Sequence, residues 1–220
     1  MNQQELFVAL KRYKVIPVIA IHDVQSALPL ADALMEGGLP VAEITFRTAA
    51  AGEVIDTLKK ERPELILGAG TILSIENLRL AKECGAQFGV APGLNPEIVK
   101  EARTLDLPFI PGIATPSDIE AALGLGLKVL KFFPAGAMGG DAMVKALSGP
   151  YAHMGVEFMP TWGVNLKNLE TYLSLPTVAM VGGTWIAKKD VIAAKKWDEI
   201  RENCRQVLNL VARIGGNLNA

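Results

Sequence analysis

Lys131 stands inside the apolar run Val129-Leu130-Lys131-Phe132-Phe133, where a charged side chain is out of keeping with its neighbours. Strand side chains alternate between faces, so Val129, Lys131 and Phe133 share one face and Leu130 and Phe132 the other. If Leu130 and Phe132 pack against helices, the lysine points inward. Burial among apolar groups disfavours an ammonium, and a neutral amine adds to a ketone and condenses to an imine. The same position also suits a snorkelling side chain at a strand end, or a structural ion pair with an interior carboxylate.

A second set lies in Val41-Ala42-Glu43-Ile44-Thr45-Phe46-Arg47. Glu43, Thr45 and Arg47 fall on one face, opposite Ala42, Ile44 and Phe46. Glu43 is expected to enter the interior with Lys131, and Arg47 to stand at the rim. A carboxylate beside an imine-forming amine moves protons through the carbinolamine and enamine stages. A rim arginine grips a substrate carboxylate bidentately. A salt-bridge cluster of Glu43, Arg47 and Lys131 accounts for the same pattern without chemistry.

The elements that must hold these residues follow from the spacing of short apolar runs. They are Val15–Ile21, Val41–Phe46, Ile66–Ala69, Phe88–Ala91, Pro108–Ile113, Val129–Phe133, Glu157–Pro160 and Val178–Val181. Their starts lie roughly 20–28 residues apart, room for a strand, a crossover helix and two short loops. Ser26–Met35, Ile75–Glu83, Pro96–Thr104, Pro116–Leu123 and Leu166–Leu173 carry apolar residues at helical spacing. Asn95-Pro96 and Thr115-Pro116 read as N-caps followed by a first-turn proline, and Gly37, Gly38, Gly85 and Gly126 as helix stops. Gln3–Arg12 predicts an extra N-terminal helix and Ile192–Ile214 a long final one. A doubly wound open sheet covers both faces of its strands, which leaves no place for mid-strand charges, and no GxGxxG follows the first run. The pattern therefore predicts a single α/β domain over residues 1–220, a (β/α)₈ TIM barrel with an extra N-terminal helix.

In such barrels the chemistry sits at the C-terminal ends of the strands. Gly68-Ala69-Gly70-Thr71, Ala91-Pro92-Gly93 and Pro111-Gly112-Ile113-Ala114-Thr115 bring glycines and small polar groups to that end. They read as close-approach loops or as plain turns. The seventh and eighth units end in Thr161-Trp162-Gly163 and Gly182-Gly183-Thr184, where barrels often cradle phosphate on backbone N–H groups. Both are also readable as turns.

Composition removes several function classes. The chain has 220 residues, is 50% hydrophobic and 20% charged, and balances 22 basic against 23 acidic residues. With no basic tract, nucleic-acid binding is not expected. Cys84 and Cys204 stand far apart, without a CxxC pair, as suits a reducing compartment. The N-terminus lacks the pattern of a signal peptide and no run is long enough for a membrane span, so a soluble cytoplasmic protein is expected. His22 and His153 are the only histidines, too few for a zinc-dependent route; His22 reads as a solvated turn residue.

The segments Pro17-Val18-Ile19, Glu43-Ile44-Thr45-Phe46-Arg47-Thr48, Gly68-Ala69-Gly70-Thr71, Pro92-Gly93-Leu94, Pro111-Gly112-Ile113 and Lys131-Phe132-Phe133-Pro134-Ala135, with Lys145-Ala146-Leu147 and Gly149-Pro150, form an ordered set. The chain resembles the bacterial 2-keto-3-deoxy-6-phosphogluconate (KDPG) and 2-keto-4-hydroxyglutarate (KHG) aldolases from about Val15 to the last helix. The resemblance implies a class I aldolase acting on 2-keto acids, cytoplasmic and homotrimeric, with no cofactor and no metal. It implies Lys131 as the Schiff-base lysine, Glu43 as the acid/base group, Arg47 on the substrate carboxylate, Thr71 and Pro92 at the pyruvoyl part and Phe133 packing near the imine. It also implies Thr161, Trp162, Gly163, Gly182, Gly183 and Thr184 around the phosphate. One departure stands out: the family usually reads Thr-Gly-Gly where this chain reads Thr161-Trp162-Gly163. If that loop needs φ > 0 at its second residue, tryptophan there is strained; its indole then either overhangs the space for the phosphate or lies on the surface with the Trp162 backbone N–H still pointing inward. On residues alone, a phosphosugar isomerase with Glu43 as base, a non-catalytic ligand-binding barrel and a pyridoxal-phosphate lysine are the alternatives.

Overall fold

The computed structural model describes residues 3–218. Its strands are β1 (Val15–Ile19), β2 (Val41–Thr45), β3 (Ile66–Gly70), β4 (Phe88–Val90), β5 (Phe109–Ile110), β6 (Gly112–Ile113), β7 (Val129–Phe132), β8 (Glu157–Pro160) and β9 (Val181–Gly183). Its helices are α1 (Gln3–Tyr13), α2 (Ala27–Glu36), α3 (Ala51–Glu61), α4 (Ile75–Glu83), α5 (Pro96–Thr104), α6 (Pro116–Gly124), α7 (Gly140–Tyr151), α8 (Leu169–Leu173), α9 (Lys189–Ala193) and α10 (Trp197–Leu218). The result is an α/β fold in which parallel strands alternate with helices.

The strands form two sheets, ordered β5-β4-β3-β2-β1-β9 and β6-β7-β8, with every paired neighbour parallel. The fifth apolar run, expected to be one strand, is split at Pro111. Proline has no N–H to give to a ladder, so β5 pairs back to β4 and β6 pairs forward to β7. At the other boundary the bridges Phe158↔Val178 and Thr161↔Gly182 link β8 to the chain around β9.

Parallel pairing leaves all C-terminal strand ends at one rim of each sheet. Every residue of β1, β2 and β3 is buried, as strands covered on both faces require. The extra helix α1 buries Leu6 and Leu10, worth roughly 1.5–3 kcal/mol each, and its Lys11 pairs with Glu157 of β8. No helix among the described residues is long and apolar enough to cross a membrane.

The helix punctuation follows the local chemistry. Asn95 accepts from the Glu97 N–H at 3.0 Å. Thr115 and Asp118 form a reciprocal capping box, each satisfying backbone donors that the first turn leaves unpaired. Gly38, Gly85 and Gly126 take φ of 83°, 97° and 73°, a conformation in which a side chain is strained.

Three expectations need correction. The last strand is Val181–Gly183, not Val178–Val181: the Val178 N–H turns back to the Leu175 carbonyl, Val178 meets β8 only in an isolated bridge, and pairing with β1 begins at Val181. Gly182 and Gly183 are therefore strand residues rather than loop. The final helix is two, α9 and α10, broken where Lys195 adopts φ 53°. Helices α3 and α7 were not among the segments expected to be helical; α7 holds Gly149-Pro150 in its last turns.

Candidate active site

Lys131 comes from the middle of β7 and Glu43 from the middle of β2, strands that are not neighbours in either sheet. Their side chains nevertheless meet. Lys131 Nζ lies 3.7 Å from Glu43 Oε1, with the side chains 5% and 0% exposed. The distance is too long for a hydrogen bond. Both Glu43 oxygens are buried without a hydrogen-bond partner among the described residues. A buried carboxylate normally has its acceptor sites filled, so Glu43 has unused capacity to accept a proton or a hydroxyl. Lys131 Nζ also lies 5.3 Å from the centroid of the Phe133 ring, within cation–π range.

The seat of Glu43 is shaped by its neighbour strand. β2 and β3 pair with Glu43 opposite Gly68 and Thr45 opposite Gly70. A Cβ on Gly70 would fall 2.1 Å from Glu43 Oε1, and one on Gly68 would fall 2.2 Å from the Phe88 ring. The glycines of Gly68-Ala69-Gly70 thus admit protein side chains. The sequence reading treated them as turn or ligand-approach residues; the two-residue spacing of glycines opposite an interior glutamate was the available signal.

Thr45, at the end of β2, is 1% exposed. Its hydroxyl donates to the Ile19 carbonyl of β1 at 2.9 Å and accepts from Arg47 Nε at 3.2 Å. It braces the arginine, which stands exposed two residues past the strand, and the guanidinium NH₂ groups are left for an anion. Thr71 follows β3 directly and has φ 57°; left-handed backbone at a β-branched residue is strained and is found most often where function holds it. Pro92 follows β4, and its carbonyl packs so closely on Gly112 that a Cβ there would lie 2.0 Å away. Arg47, Thr71, Pro92, Phe133 and Thr161 thus all follow the C-terminal ends of parallel strands. His22 is exposed, as a solvated turn residue should be.

The Thr161-Trp162-Gly163 loop has successive φ of 75° and 79° at Trp162 and Gly163. The condition set by the sequence is met, and the tryptophan is in the strained region. Each carbonyl of the loop is tied. Ala135 N–H donates to Thr161 O at 2.9 Å and Gly136 N–H to Trp162 O at 3.0 Å. Asn168 Nδ2 donates to Gly163 O at 2.9 Å. The parallel bridge Thr161↔Gly182 turns the Trp162 N–H toward the Gly182 carbonyl, whereas the N–H groups of Gly163 and Val164 have no protein acceptor among the described residues. Consecutive free N–H groups in a turn of this kind suit an anion. Thr161 itself is 2% exposed, and Gly182 is the residue that leaves its hydroxyl room: a Cβ there would lie 2.3 Å from Thr161 Oγ1. Gly182 and Gly183 belong to β9, so of the eighth-unit set only Thr184 lies past the strand.

Comparison with known proteins places this geometry. Residues 7–203 match the family described as KDPG and KHG aldolase. A curated relative from Haemophilus influenzae, named 2-dehydro-3-deoxy-phosphogluconate aldolase, is 45% identical over 208 residues, covering 94% of this chain and 97% of its own. One from Escherichia coli K12, named KHG/KDPG aldolase, is 40% identical over 194 residues, 88% of this chain and 90% of its own. Among solved structures, the KDPG aldolase of Legionella pneumophila, with pyruvate captured as a covalent carbinolamine intermediate, superposes with a TM-score of 0.88 at 40% identity, covering 94% of this chain and 98% of its own. With an interior amine beside an interior carboxylate, and a strand-end rim of small polar residues, the chain belongs to the KDPG and KHG aldolase family and is a lyase.

Proposed function

We propose that the protein is a class I aldolase that cleaves KDPG to pyruvate and glyceraldehyde 3-phosphate, and 4-hydroxy-2-oxoglutarate to pyruvate and glyoxylate, through an imine on Lys131. The observation that carries this reading is the buried Lys131–Glu43 pair, 3.7 Å apart, in which the carboxylate accepts no hydrogen bond from protein.

The steps follow from that pair. The Lys131 amine adds to the C2 ketone, and Glu43 relays the protons that convert the carbinolamine oxygen into departing water. The resulting iminium is an electron sink. Glu43 takes the proton of the C4 hydroxyl, the C3–C4 bond breaks, and its electron pair forms the enamine while C4 leaves as the aldehyde. Protonation at C3 and addition of water to the iminium release pyruvate and restore the amine. Arg47, braced by Thr45, holds the substrate carboxylate, with Thr71, Pro92 and Phe133 about the pyruvoyl part. The Thr161-Trp162-Gly163 loop, through the free N–H groups at Gly163 and Val164, receives the phosphate with Gly182, Gly183 and Thr184.

We also propose that residues 1–220 act as one domain whose two sheets close into an eight-stranded barrel. Its support is the contact between side chains of non-adjacent β2 and β7, the single residue separating β5 from β6, and the isolated bridges Phe158↔Val178 and Thr161↔Gly182 flanking β8 and β9. In this reading the working enzyme is a cytoplasmic homotrimer; exposed Leu73 and Leu80, at 62% and 43%, are apolar surface consistent with an interface.

The test is intact-mass spectrometry after incubation with pyruvate and sodium borohydride. One pyruvate-sized adduct, mapping to Lys131 and absent from folded Lys131→Ala, is expected. A folded wild type that traps no pyruvate overturns the imine mechanism and brings forward an isomerase with Glu43 as base.

A further inference from the structure

Trp162 is an expensive residue where it stands. A side chain in left-handed backbone costs roughly 1–2 kcal/mol, and the indole is 51% exposed, so packing recovers only part of it. The loop has no freedom to relax the strain, since the carbonyls of residues 161, 162 and 163 are each held by a donor from elsewhere. Gly163 is held in turn against Gly136: a Cβ on Gly163 would lie 2.9 Å from Gly136 Cα. The bulkiest side-chain type is therefore fixed in a loop whose Gly163 and Val164 N–H groups have no protein acceptor among the described residues. Neither Thr161–Val164 nor Gly182–Ala187 contains a charged side chain. A second tryptophan, Trp185, packs over Gly183, whose Cβ would meet its ring at 3.1 Å. The two loops at this end of the rim therefore combine backbone donors with aromatic surface, and carry no cation of their own.

From this geometry we infer that Trp162 is a specificity-determining residue: its indole hinders a phosphate at the loop donors and shifts the enzyme toward short, unphosphorylated 4-hydroxy-2-oxo acids. A phosphate dianion keeps its free oxygens solvated, and an indole beside the donors displaces several waters while its single N–H replaces at most one of their hydrogen bonds. A substrate that ends in a carboxylate short of this loop escapes the penalty. The inference rests on the aldolase reading above, and deepens it by naming the substrate class.

The experiment measures kcat/KM for KDPG and for 4-hydroxy-2-oxoglutarate in the wild type, Trp162→Ala, Trp162→Gly and Trp162→Phe. Alanine keeps the backbone strain and removes the ring, glycine removes both, and phenylalanine keeps an aromatic. The KDPG/KHG ratio is expected to rise about tenfold in both Ala and Gly variants and to change least in Phe. An unchanged or lower ratio in the alanine variant overturns the inference. So does a rise in glycine alone, which assigns the effect to backbone strain. Thermal melts confirm that each variant is folded. Borohydride trapping of pyruvate by the wild type separates this failure from that of the aldolase reading: trapping with an unmoved ratio sinks only the role of Trp162.

Discussion

Gly70→Ala puts a single methyl group into the catalytic centre without replacing a reacting group. The new Cβ would stand 2.1 Å from Glu43 Oε1, 2.7 Å from its Cγ and 2.8 Å from its Cδ. Ordinary contact begins near 3.4 Å, so the carboxylate must retreat by more than an ångström. The far end of a glutamate is flexible in water, but this one is 0% exposed and its Cγ is crowded too. Two consequences follow. Overpacking of a dense interior destabilises by about 1–3 kcal/mol, visible as a lower denaturation midpoint. Displacing an acid/base group by about 1 Å costs on the order of 10²-fold in turnover, visible in coupled detection of released pyruvate. Lys131 is untouched, so the borohydride-trapped pyruvate adduct still forms, more slowly. A Gly70→Ala enzyme that is folded and within about threefold of wild-type kcat would refute the argument that the glycine seats the carboxylate.

Other consequences can be checked alongside. Lys131→Met leaves a buried carboxylate without its cation and is expected to destabilise by about 3–5 kcal/mol; adding Glu43→Gln should recover much of that in urea denaturation, and a double variant no more stable than the single one argues against coupling. The hydrogen bond from Arg62 holds the Asp32 carboxyl below its ordinary value of 3.8. Because the folded pKa is the lower one, this pair stabilises above the ordinary carboxylate range and loses its effect as pH falls through the folded value. Arg62→Ala should therefore lower the urea midpoint slightly at neutral pH, as solvent screens the pair, with the difference from wild type shrinking in acid; a difference that grows in acid contradicts the assignment. Burial pushes the Cys204 thiol up to about 12, so a disulfide reagent at about pH 8 should modify it only as fast as the protein opens. Rapid labelling of Cys204 in the folded protein would show that α10 does not bury it against Gly37 at the end of α2.

What could be read from the chain was whatever depends on one residue and its own neighbours. Lys131 and Glu43 interrupt apolar runs, and the two-residue period turns each interruption into an inward direction. Asn95-Pro96 and Thr115-Pro116 hold all the information their caps need. The features that escaped are pair properties between distant parts of the chain. Gly70 and Gly182 look like turn glycines until the register shows Glu43 and Thr161 lying against them; the chain needs glycine there for a neighbour's side chain, not for its own backbone. Pro111 looked harmless within an apolar run, because the sequence does not say that its missing N–H faces a ladder. Trp162 falls between these cases. Its identity marked it as out of place, but only the 75° φ makes it costly, and only the pinned carbonyls around it make that cost inescapable. A strained residue whose surroundings leave no cheaper conformation is the kind that function holds in place, which is why the substrate ratio of the alanine variant, rather than its stability, is the informative number.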